Sequence, residues 1–278
     1  MKNAPCLPLQ QHPDFGAALA RLGTPFDYVN LPGAAPVLRI RRFGVNFSAR
    51  GPIWDCATSP DAQIDALRCA KITLLNDEST CPATLHRAGF RQVMTPAHVA
   101  ELDLTGTAAG RIARMHGKWR NTWRKAQKSP LRVDIARFDP VRHGWLLAAD
   151  LAQQRAKRYR ALPHAILHSY RAANPDGAVV LTARAERQPV AAMLFLLHAP
   201  VATYHIGWNG HTGRSHAAHH LLLMQAADHF AARGVIRLDL GTVDTETAPG
   251  LARFKIGSGA QVRPLGGTWL RLPGYNRH

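Results

Sequence analysis

The last quarter of this 278-residue chain carries the pattern that most restricts its fold. Residues 204–208 have the composition of a strand, residues 210–213 form a glycine-bounded turn, and residues 215–233 have helical periodicity. Gly234 ends that helix and leads into a second strand at residues 236–241. A strand that feeds a turn and then a helix aims unpaired backbone N–H groups at one place, which suits a phosphate or an oxyanion. The pattern therefore favours a β-α-β unit with a transferase site over a purely structural module.

Upstream of this unit, strand patterns alternate with helix patterns, which predicts a mixed α/β protein. Residues 1–35 are rich in Pro and Gly and are expected to wrap the surface. The predicted strands are residues 37–42, 45–48, 72–75, 90–94, 132–138, 178–184, 190–198 and 201–208, and the predicted helices are residues 59–70, 81–88, 107–128 (broken near 117) and 141–158. We accordingly expect a first half at residues 1–105, a basic helical connector with a first strand at residues 106–140, and a catalytic half at residues 141–278.

Length and composition place the chain among globular proteins of one or two domains. No apolar run approaches the roughly 20 residues of a membrane-spanning helix, and the first residues lack the apolar core of a secretory signal. The four cysteines lie far apart, without a C-x-x-C pair, and are expected to be reduced thiols. These features predict a cytoplasmic protein.

The charge balance is strongly basic, with 35 Lys and Arg against 18 Asp and Glu, or a net +17. Such a charge favours nucleic acid, anionic lipid or a phosphate-bearing ligand as partner. Residues 104–133 contain no acid and hold the basic residues Arg111, Arg114, Lys118, Arg120, Arg124, Lys125, Lys128 and Arg132. The alternative interpretation is a solvated basic helix. Trp119 and Trp123, four residues apart within it, either stack on unpaired bases or anchor the helix to a core.

Motifs in three parts of the chain resemble one family. The sequence Leu-Asp-Leu-Gly at residues 238–241 precedes Gly-Leu-x-x-Phe-Lys-x-Gly-x-Gly at residues 250–259, and residues 50–54 and 118–126 fit as well. In this order the motifs resemble the acyltransferases of the FemAB kind, a branch of the GNAT superfamily of N-acyltransferases. The resemblance implies a GNAT fold in two tandem halves, of which the first is incomplete. It also implies acyl transfer to an amine, with either acyl-CoA or aminoacyl-tRNA as the donor.

Superfamily members that use acyl-CoA carry two glycines in the loop before the helix, where backbone N–H groups wrap the pyrophosphate. This chain keeps one, Gly213, followed by Arg214, Ser215 and His216. A helix N-terminus and an arginine still attract an anion. We expect these four residues and Phe254 to contact the donor. The alternative is a simple connection with Ser215 as its helix cap.

Lys255 is the first candidate for chemistry. It follows Phe254 in the motif, and in the resembling enzymes this lysine approaches the phosphate of the donor or the developing oxyanion. A cation fixed in a dry site stabilises such a transition state. The alternative is a surface lysine on an edge strand.

Five residues compete for handling the proton. Asp239 lies on the second strand of the unit and has either a role in the site or a buried, hydrogen-bonded role. Asp244 and Glu246 lie in the following loop and are better placed for substrate. The alternative for these two is that they are solvated loop acids. Tyr204 and His205 are adjacent on the first strand, where neighbouring side chains point to opposite faces, so only one is expected to face the site unless both are ordinary core residues. We favour Lys255, Tyr204 and Asp244 as the catalytic set.

A metal is not expected. His216, His219 and His220 share a helix, but no Cys or nearby carboxylate completes a zinc site apart from Asp228, two turns away. The predicted function is an N-acyltransferase without a covalent enzyme intermediate. An aminoacyl-tRNA-dependent transferase is the alternative, and a non-catalytic nucleic-acid-binding protein is the third hypothesis.

Overall fold

The computed structural model describes residues 6–271. The chain divides into two compact units, the first comprising the residues up to His98 together with those from Arg263, and the second comprising Val99–Val262. Within the described residues, no helix combines the length and the apolar composition needed to cross a bilayer.

The helices and strands alternate along the chain. The helices are α1 (Pro13–Arg21), α2 (Pro60–Cys69), α3 (Pro82–Arg87), α4 (Ala108–Arg114), α5 (Gly117–Gln127), α6 (Gly144–Lys157), α7 (His164–Ala173), α8 (His211–Ser215), α9 (Ala218–Ala231) and α10 (Pro249–Gly257). The strands are β1 (Phe26–Val29), β2 (Val37–Arg42), β3 (Val45–Ala49), β4 (Leu74–Asp77), β5 (Arg91–Met94), β6 (His98–Asp103), β7 (Arg132–Arg137), β8 (Ala178–Ala185), β9 (Gln188–His198), β10 (Val201–Asn209), β11 (Arg237–Val243), β12 (Gln261–Pro264) and β13 (Gly267–Leu270).

The first unit contains a six-stranded sheet in the order β1-β2-β3-β4-β13-β5. The first three strands pair antiparallel, whereas β3 and β4 pair parallel because α2 connects them. Helix α2 begins as the sequence predicts, with Pro60 in its first turn and the Ser59 hydroxyl accepting a hydrogen bond from the Ala62 amide. The apolar core between helices and sheet includes Leu67, Leu75, Leu85, Phe90 and Trp269.

The second unit contains a seven-stranded sheet in the order β12-β6-β11-β10-β9-β8-β7. Strands β7 to β10 pair antiparallel, and β10 and β11 pair parallel because α8 and α9 connect them. Residues 190–196 of β9 are buried without a break, as expected of a central strand covered on both faces. The Phe195 ring lies 5.4 Å from the Phe230 ring of α9, centroid to centroid. The mixed α/β prediction is confirmed.

The two sheets repeat one arrangement. In each, antiparallel strands are followed by a parallel neighbour, β4 or β11, that the chain reaches through a helix. The next strand in each sheet is distant in sequence, since β13 lies between β4 and β5 while β6 lies between β11 and β12. The unit boundaries therefore differ from the predicted division at residues 105 and 141. The fully buried Trp269 draws the C-terminal strand into the first core.

Several elements differ from their predicted form. Helix α1 lies in the segment at residues 1–35 that is expected to wrap the surface, and neither α1 nor α7 is among the predicted helices. The turn predicted at residues 210–213 lies in α8, and the helix predicted at residues 215–233 is α9, which starts only at Ala218 because Ala217 before it has a φ of 52°. Residues 249–257 form helix α10, which is not among the predicted helices.

Candidate active site

The parallel pair β10 and β11 separates at its carboxyl end. The register joins Val201 to Arg237, Ala202 to Leu238 and Thr203 to Asp239, and the ladder stops there, although both strands continue. The carboxyl ends of the two strands therefore part. An opening of this kind at the carboxyl edge of a sheet is where α/β proteins bind ligands.

A β-bulge lies at the point of separation. Tyr204 pairs with Phe195 and Ile206 pairs with Leu194, so His205 is the extra residue of β10. At the bulge the strict alternation of side chains is interrupted, so alternation does not decide which of Tyr204 and His205 faces the site. Bulges re-aim side chains in this way and are frequent next to active sites.

Burial sets the protonation of both residues at the bulge. It raises the pKa of Tyr204 well above its ordinary value, so the phenol stays protonated at neutral pH. Burial lowers the pKa of His205 to about 4, so this imidazole is neutral. Within residues 6–271 the His205 Nε2 has no hydrogen-bond partner. The Tyr204 hydroxyl occupies the space that a Cβ at Gly207 would fill, 1.7 Å from the ideal Cβ position.

Lys255 is buried, with 5% of its surface exposed, on the last turn of α10. Its Nζ donates a 2.7 Å hydrogen bond to the carbonyl oxygen of Thr242 at the end of β11. Burial lowers the pKa of Lys255 to about 8, and the charge of Asp239 opposes that shift. The interpretation as a surface lysine on an edge strand is wrong, because α10 turns this side chain inward against the strand end.

The three acidic candidates occupy different environments. Asp239 is buried and accepts a 2.7 Å hydrogen bond from the Gly241 amide. Asp244 is exposed, and its carboxylate accepts hydrogen bonds from the amides of Glu246 and Thr247 and from the Thr247 hydroxyl. These bonds hold the pKa of Asp244 below its usual range. Asp244 therefore stabilises the loop before α10 through these hydrogen bonds and is a weak base. Glu246 is exposed in the same loop.

Phe254 lies in a cluster of aromatic and imidazole rings between α5, α9 and α10. Its carbonyl oxygen accepts a 2.9 Å hydrogen bond from the Trp119 indole nitrogen. Its ring centroid lies 5.3 Å from that of His220 and 6.0 Å from that of His219. A Cβ at Gly257 would lie 2.6 Å from the Trp119 ring, so only glycine permits this close approach of α5 and α10. The cluster fixes the helix that carries Lys255.

The predicted donor loop does not form the expected helix start. Gly213, Arg214 and Ser215 belong to the five-residue α8, and His216 is its C-cap. Arg214 donates to the Asn209 carbonyl oxygen at 2.6 Å, and the Ser215 hydroxyl donates to the Thr212 carbonyl oxygen. Ser215 as a helix N-cap is wrong, since the longer helix starts at Ala218. Only glycine fits at position 213, because a Cβ there would lie 2.3 Å from the Val190 carbonyl oxygen.

The basic segment contains both structural and exposed cations. Arg111 is 4% exposed and forms a 2.6 Å ion pair with Asp228, so its predicted contact with a polyanion is wrong. Arg114 donates to the Asp103 carbonyl oxygen at 2.8 Å. On α5, Lys118, Arg124 and Lys125 are exposed, and Arg120 is partly exposed. Trp119 and Trp123 are buried and anchor α5 to the core of the second unit, as the second interpretation of the pair predicts.

A polar cluster beside the bulge was missed from the sequence. Asp150 on α6 is 4% exposed, and its carboxylate lies 2.8 Å from the His164 Nε2 at the start of α7. Gln153 donates to the Tyr159 hydroxyl at 3.0 Å and lies 3.5 Å from the Gly207 carbonyl oxygen. No local pattern marks these residues, because the turn that joins the two helices brings them together. In the part of the chain that the structure describes, no group of three His, Cys, Asp or Glu residues is placed to hold a metal ion.

A family model of the acetyltransferase (GNAT) domain matches residues 113–255, slightly more than half of the chain. Among solved structures, FemX superposes with a TM-score of 0.71 at 11% identity, covering 94% of this chain and 93% of that one. The C-terminal domain of a putative lysylphosphatidylglycerol synthetase from Agrobacterium fabrum gives 0.57 at 14% identity, with 95% and 89% covered. L-PGS from Bacillus licheniformis gives 0.56 at 14% identity, with 95% and 93% covered.

These structural likenesses extend over both units and concern the fold. A search of curated protein sequences finds no match. The predicted resemblance to the FemAB branch is confirmed at the level of superfamily and fold. The chain therefore belongs to the GNAT acetyltransferase family and is an enzyme of the transferase class.

Proposed function

We propose that the protein moves an acyl group from an activated donor to an amine at the place where β10 and β11 part. The observation that carries this proposal is the buried Lys255, whose Nζ lies at the end of β11. An ammonium has three N–H donors, and one is used for the Thr242 carbonyl oxygen. In this proposal the ammonium directs its positive charge at a negatively charged group in the opening between the strands.

The chemistry needs no covalent intermediate on the protein. The amine nitrogen attacks the acyl carbon, and the carbonyl oxygen becomes an oxyanion that Lys255 stabilises. When this intermediate collapses, the C–N bond remains and the bond from carbon to sulfur or oxygen of the donor breaks. Holding both reactants in attacking geometry supplies a large part of the rate enhancement. A buried cation adds several kcal/mol because the surrounding dielectric is low.

Tyr204 is our candidate for protonating the leaving group. Its phenol is protonated at neutral pH because burial raises its pKa, and it lies next to the bulge. The thiolate or alkoxide takes the phenolic proton, and the phenol regains a proton from the attacking nitrogen. Asp244 is assigned to the loop that precedes α10, because its carboxylate is held by donors of that loop. In this proposal Asp244 does not transfer a proton but holds the conformation of the loop that borders the substrate.

Donor contacts are assigned to the segment between β10 and α9 and to the facing helix α10. Arg214 is exposed and supplies a cation, while Gly213, Ser215 and His216 shape the segment. Phe254 is partly exposed beside His219 and His220. In this proposal the ring cluster supports the non-polar part of the donor and Arg214 binds its anionic part.

Aminoacyl-tRNA is the second candidate donor. The net charge of +17 and the exposed cations of α5 favour a polyanion. The likeness to FemX supports it through the fold, since the FemAB acyltransferases use that donor. Arg111 has no part in it, because Arg111 is buried against Asp228.

A donor panel tests the proposal. The purified protein is incubated with acetyl-CoA or alanyl-tRNA and a set of primary amines, and amide formation is followed by mass spectrometry. We expect one donor to support transfer and Lys255→Ala to slow that transfer by about 10²-fold or more. Lys157→Ala, which removes an exposed lysine at the end of α6, is the matched control and should keep full activity. Wild-type protein that transfers from neither donor to any amine would contradict the proposed function.

A further inference from the structure

The Asp150–His164 pair has a geometry that supports proton transfer. The Asp150 carboxylate accepts a 2.6 Å hydrogen bond from the Gln154 side-chain amide, and its oxygen lies 2.8 Å from the His164 Nε2. The Asp150 side chain is 5% exposed and the His164 side chain 14%. Among the described residues His164 Nδ1 has no hydrogen-bond partner, so a proton on Nε2, directed at Asp150, leaves a lone pair on Nδ1. A carboxylate that orients an imidazole in this way makes its second nitrogen a better base.

The pair is positioned beside the bulge. Helix α6 packs on β10, with the Trp145 and Trp208 ring centroids 5.3 Å apart and Gln153 next to the Gly207 carbonyl oxygen. Asp150 lies close enough for its charge to act on Tyr204 and His205. The pair therefore borders the opening where the acyl carbon is expected.

A purely structural role for the pair, as a link between α6 and α7, does not explain why a carboxylate is buried there. Burying a carboxylate costs free energy unless it is well paired, and apolar residues of similar volume tie two helices together as well. His205 lies on β10, against which α6 packs, and its Nε2 is buried without a partner among the described residues. An unpartnered buried nitrogen beside the bulge indicates a polar ligand there.

We propose that His164 is the base that takes the proton from the ammonium group of the acceptor, and that Asp150 positions it. This inference rests on the proposed acyl transfer and deepens it. An ammonium group has no lone pair and cannot attack. His164 Nδ1 accepts one proton and passes it to solvent, and the neutral amine then forms the C–N bond. The second proton leaves with the thiol or alcohol by way of Tyr204.

Two acceptors separate this role from a structural one. An alkyl amine is an ammonium ion at neutral pH and needs the base, whereas hydroxylamine is already unprotonated and does not. With the active donor, His164→Ala should lower kcat/KM for the alkyl amine by about 10²-fold or more. The rate with hydroxylamine should change less than about threefold, and added imidazole should restore part of the alkyl amine reaction. His168→Ala, an exposed histidine one turn along α7, should leave both reactions unchanged.

Two further variants keep the test independent of folding. His164→Gln retains a side-chain amide that can donate to Asp150 but has no basic nitrogen, so it should fold and lose only the alkyl amine reaction. Asp150→Asn keeps the shape and removes the charge, and it should also slow only the alkyl amine reaction.

The outcomes are distinct. Equal losses with both acceptors in a folded variant, or no loss with the alkyl amine, would overturn the role of His164 while acyl transfer stands. A wild-type protein that acylates neither acceptor with any donor would overturn acyl transfer itself, and this inference with it.

Discussion

The ammonium of Lys255 donates a 2.7 Å hydrogen bond to the carbonyl oxygen of Thr242, which joins α10 to the end of β11. The lysine is therefore fixed at the strand end and cannot swing into solvent. A Cβ at the neighbouring Gly241 would lie 3.8 Å from Nζ, so the backbone approaches the cation closely. Positioned and desolvated, this cation is the feature of the second unit best suited to stabilising an oxyanion.

Replacing Lys255 by Ala should lower kcat by about 10²- to 10³-fold, which is the usual cost of losing one oxyanion donor. The loss should fall on kcat more than on KM, because the interaction strengthens as charge develops in the transition state. Steady-state kinetics with the donor that the panel selects measures it, with Lys157→Ala as control. A variant with wild-type kcat would remove Lys255 from the mechanism.

The activity of the wild type should decline above about pH 8, because burial lowers the pKa of Lys255 to about 8 and the cation is then lost. A base role for Lys255 predicts the opposite, a rise in activity through the same pH. The logarithm of kcat/KM plotted against pH distinguishes the two. Lys255→Arg, which stays charged over this range, should lack the decline if it retains activity.

The stability of the protein should also respond to Lys255. Its folded pKa of about 8 lies below the ordinary 10.5, so the folded state binds fewer protons than the unfolded state between these values. Stability contributed by this group therefore rises with pH from 8 to 10.5, by up to about 3 kcal/mol. Lys255→Met should lack this rise and should be the more stable protein at pH 7. Denaturant unfolding of both proteins across this pH range tests it, and parallel curves would contradict the shift.

Gly207 is expected to tolerate no side chain, since the Tyr204 hydroxyl occupies that space. Gly207→Ala should destabilise the protein by about 1–3 kcal/mol through overpacking. The cost should be smaller in a Tyr204→Phe background, where the hydroxyl is absent. Gly144→Ala is the control, because a Cβ there meets nothing within 4 Å. Thermal unfolding of the four variants gives the coupling, and full additivity would show that the hydroxyl lies elsewhere.

The donor can be identified through α5. If it is aminoacyl-tRNA, affinity should fall steeply with salt, and replacing Arg120, Arg124 and Lys125 by Ala should flatten the log–log slope by about two units. The control removes three exposed arginines of the first unit, at positions 21, 41 and 42. With acyl-CoA the α5 triple variant should change KM only weakly. Absence of tRNA binding near micromolar at low salt would end the tRNA alternative.

The local pattern predicted the fold class and most of the elements, but it did not predict strands β1, β6, β12 and β13 or helices α1, α7 and α10. Strands β8 to β10 and the β-α-β unit appear where alternation and helical periodicity place them, because these periods reflect which side of a segment is buried. The break between α4 and α5 was likewise predicted near Gly117. Local pattern could not assign β13 to the first sheet, since strand partners are chosen by packing across the whole chain.

The candidate site divides in the same way. The sequence by itself determined that Phe254 and Lys255 stand in a family motif next to a β-α-β unit, and that the chain is basic. Only the tertiary structure decided that Lys255 is buried against Thr242, that Arg111 forms an ion pair with Asp228, and that His164 contacts Asp150. The reason is physical: pKa and availability depend on burial and on charges brought near by folding, and residues 14 or 117 positions apart leave no local periodicity.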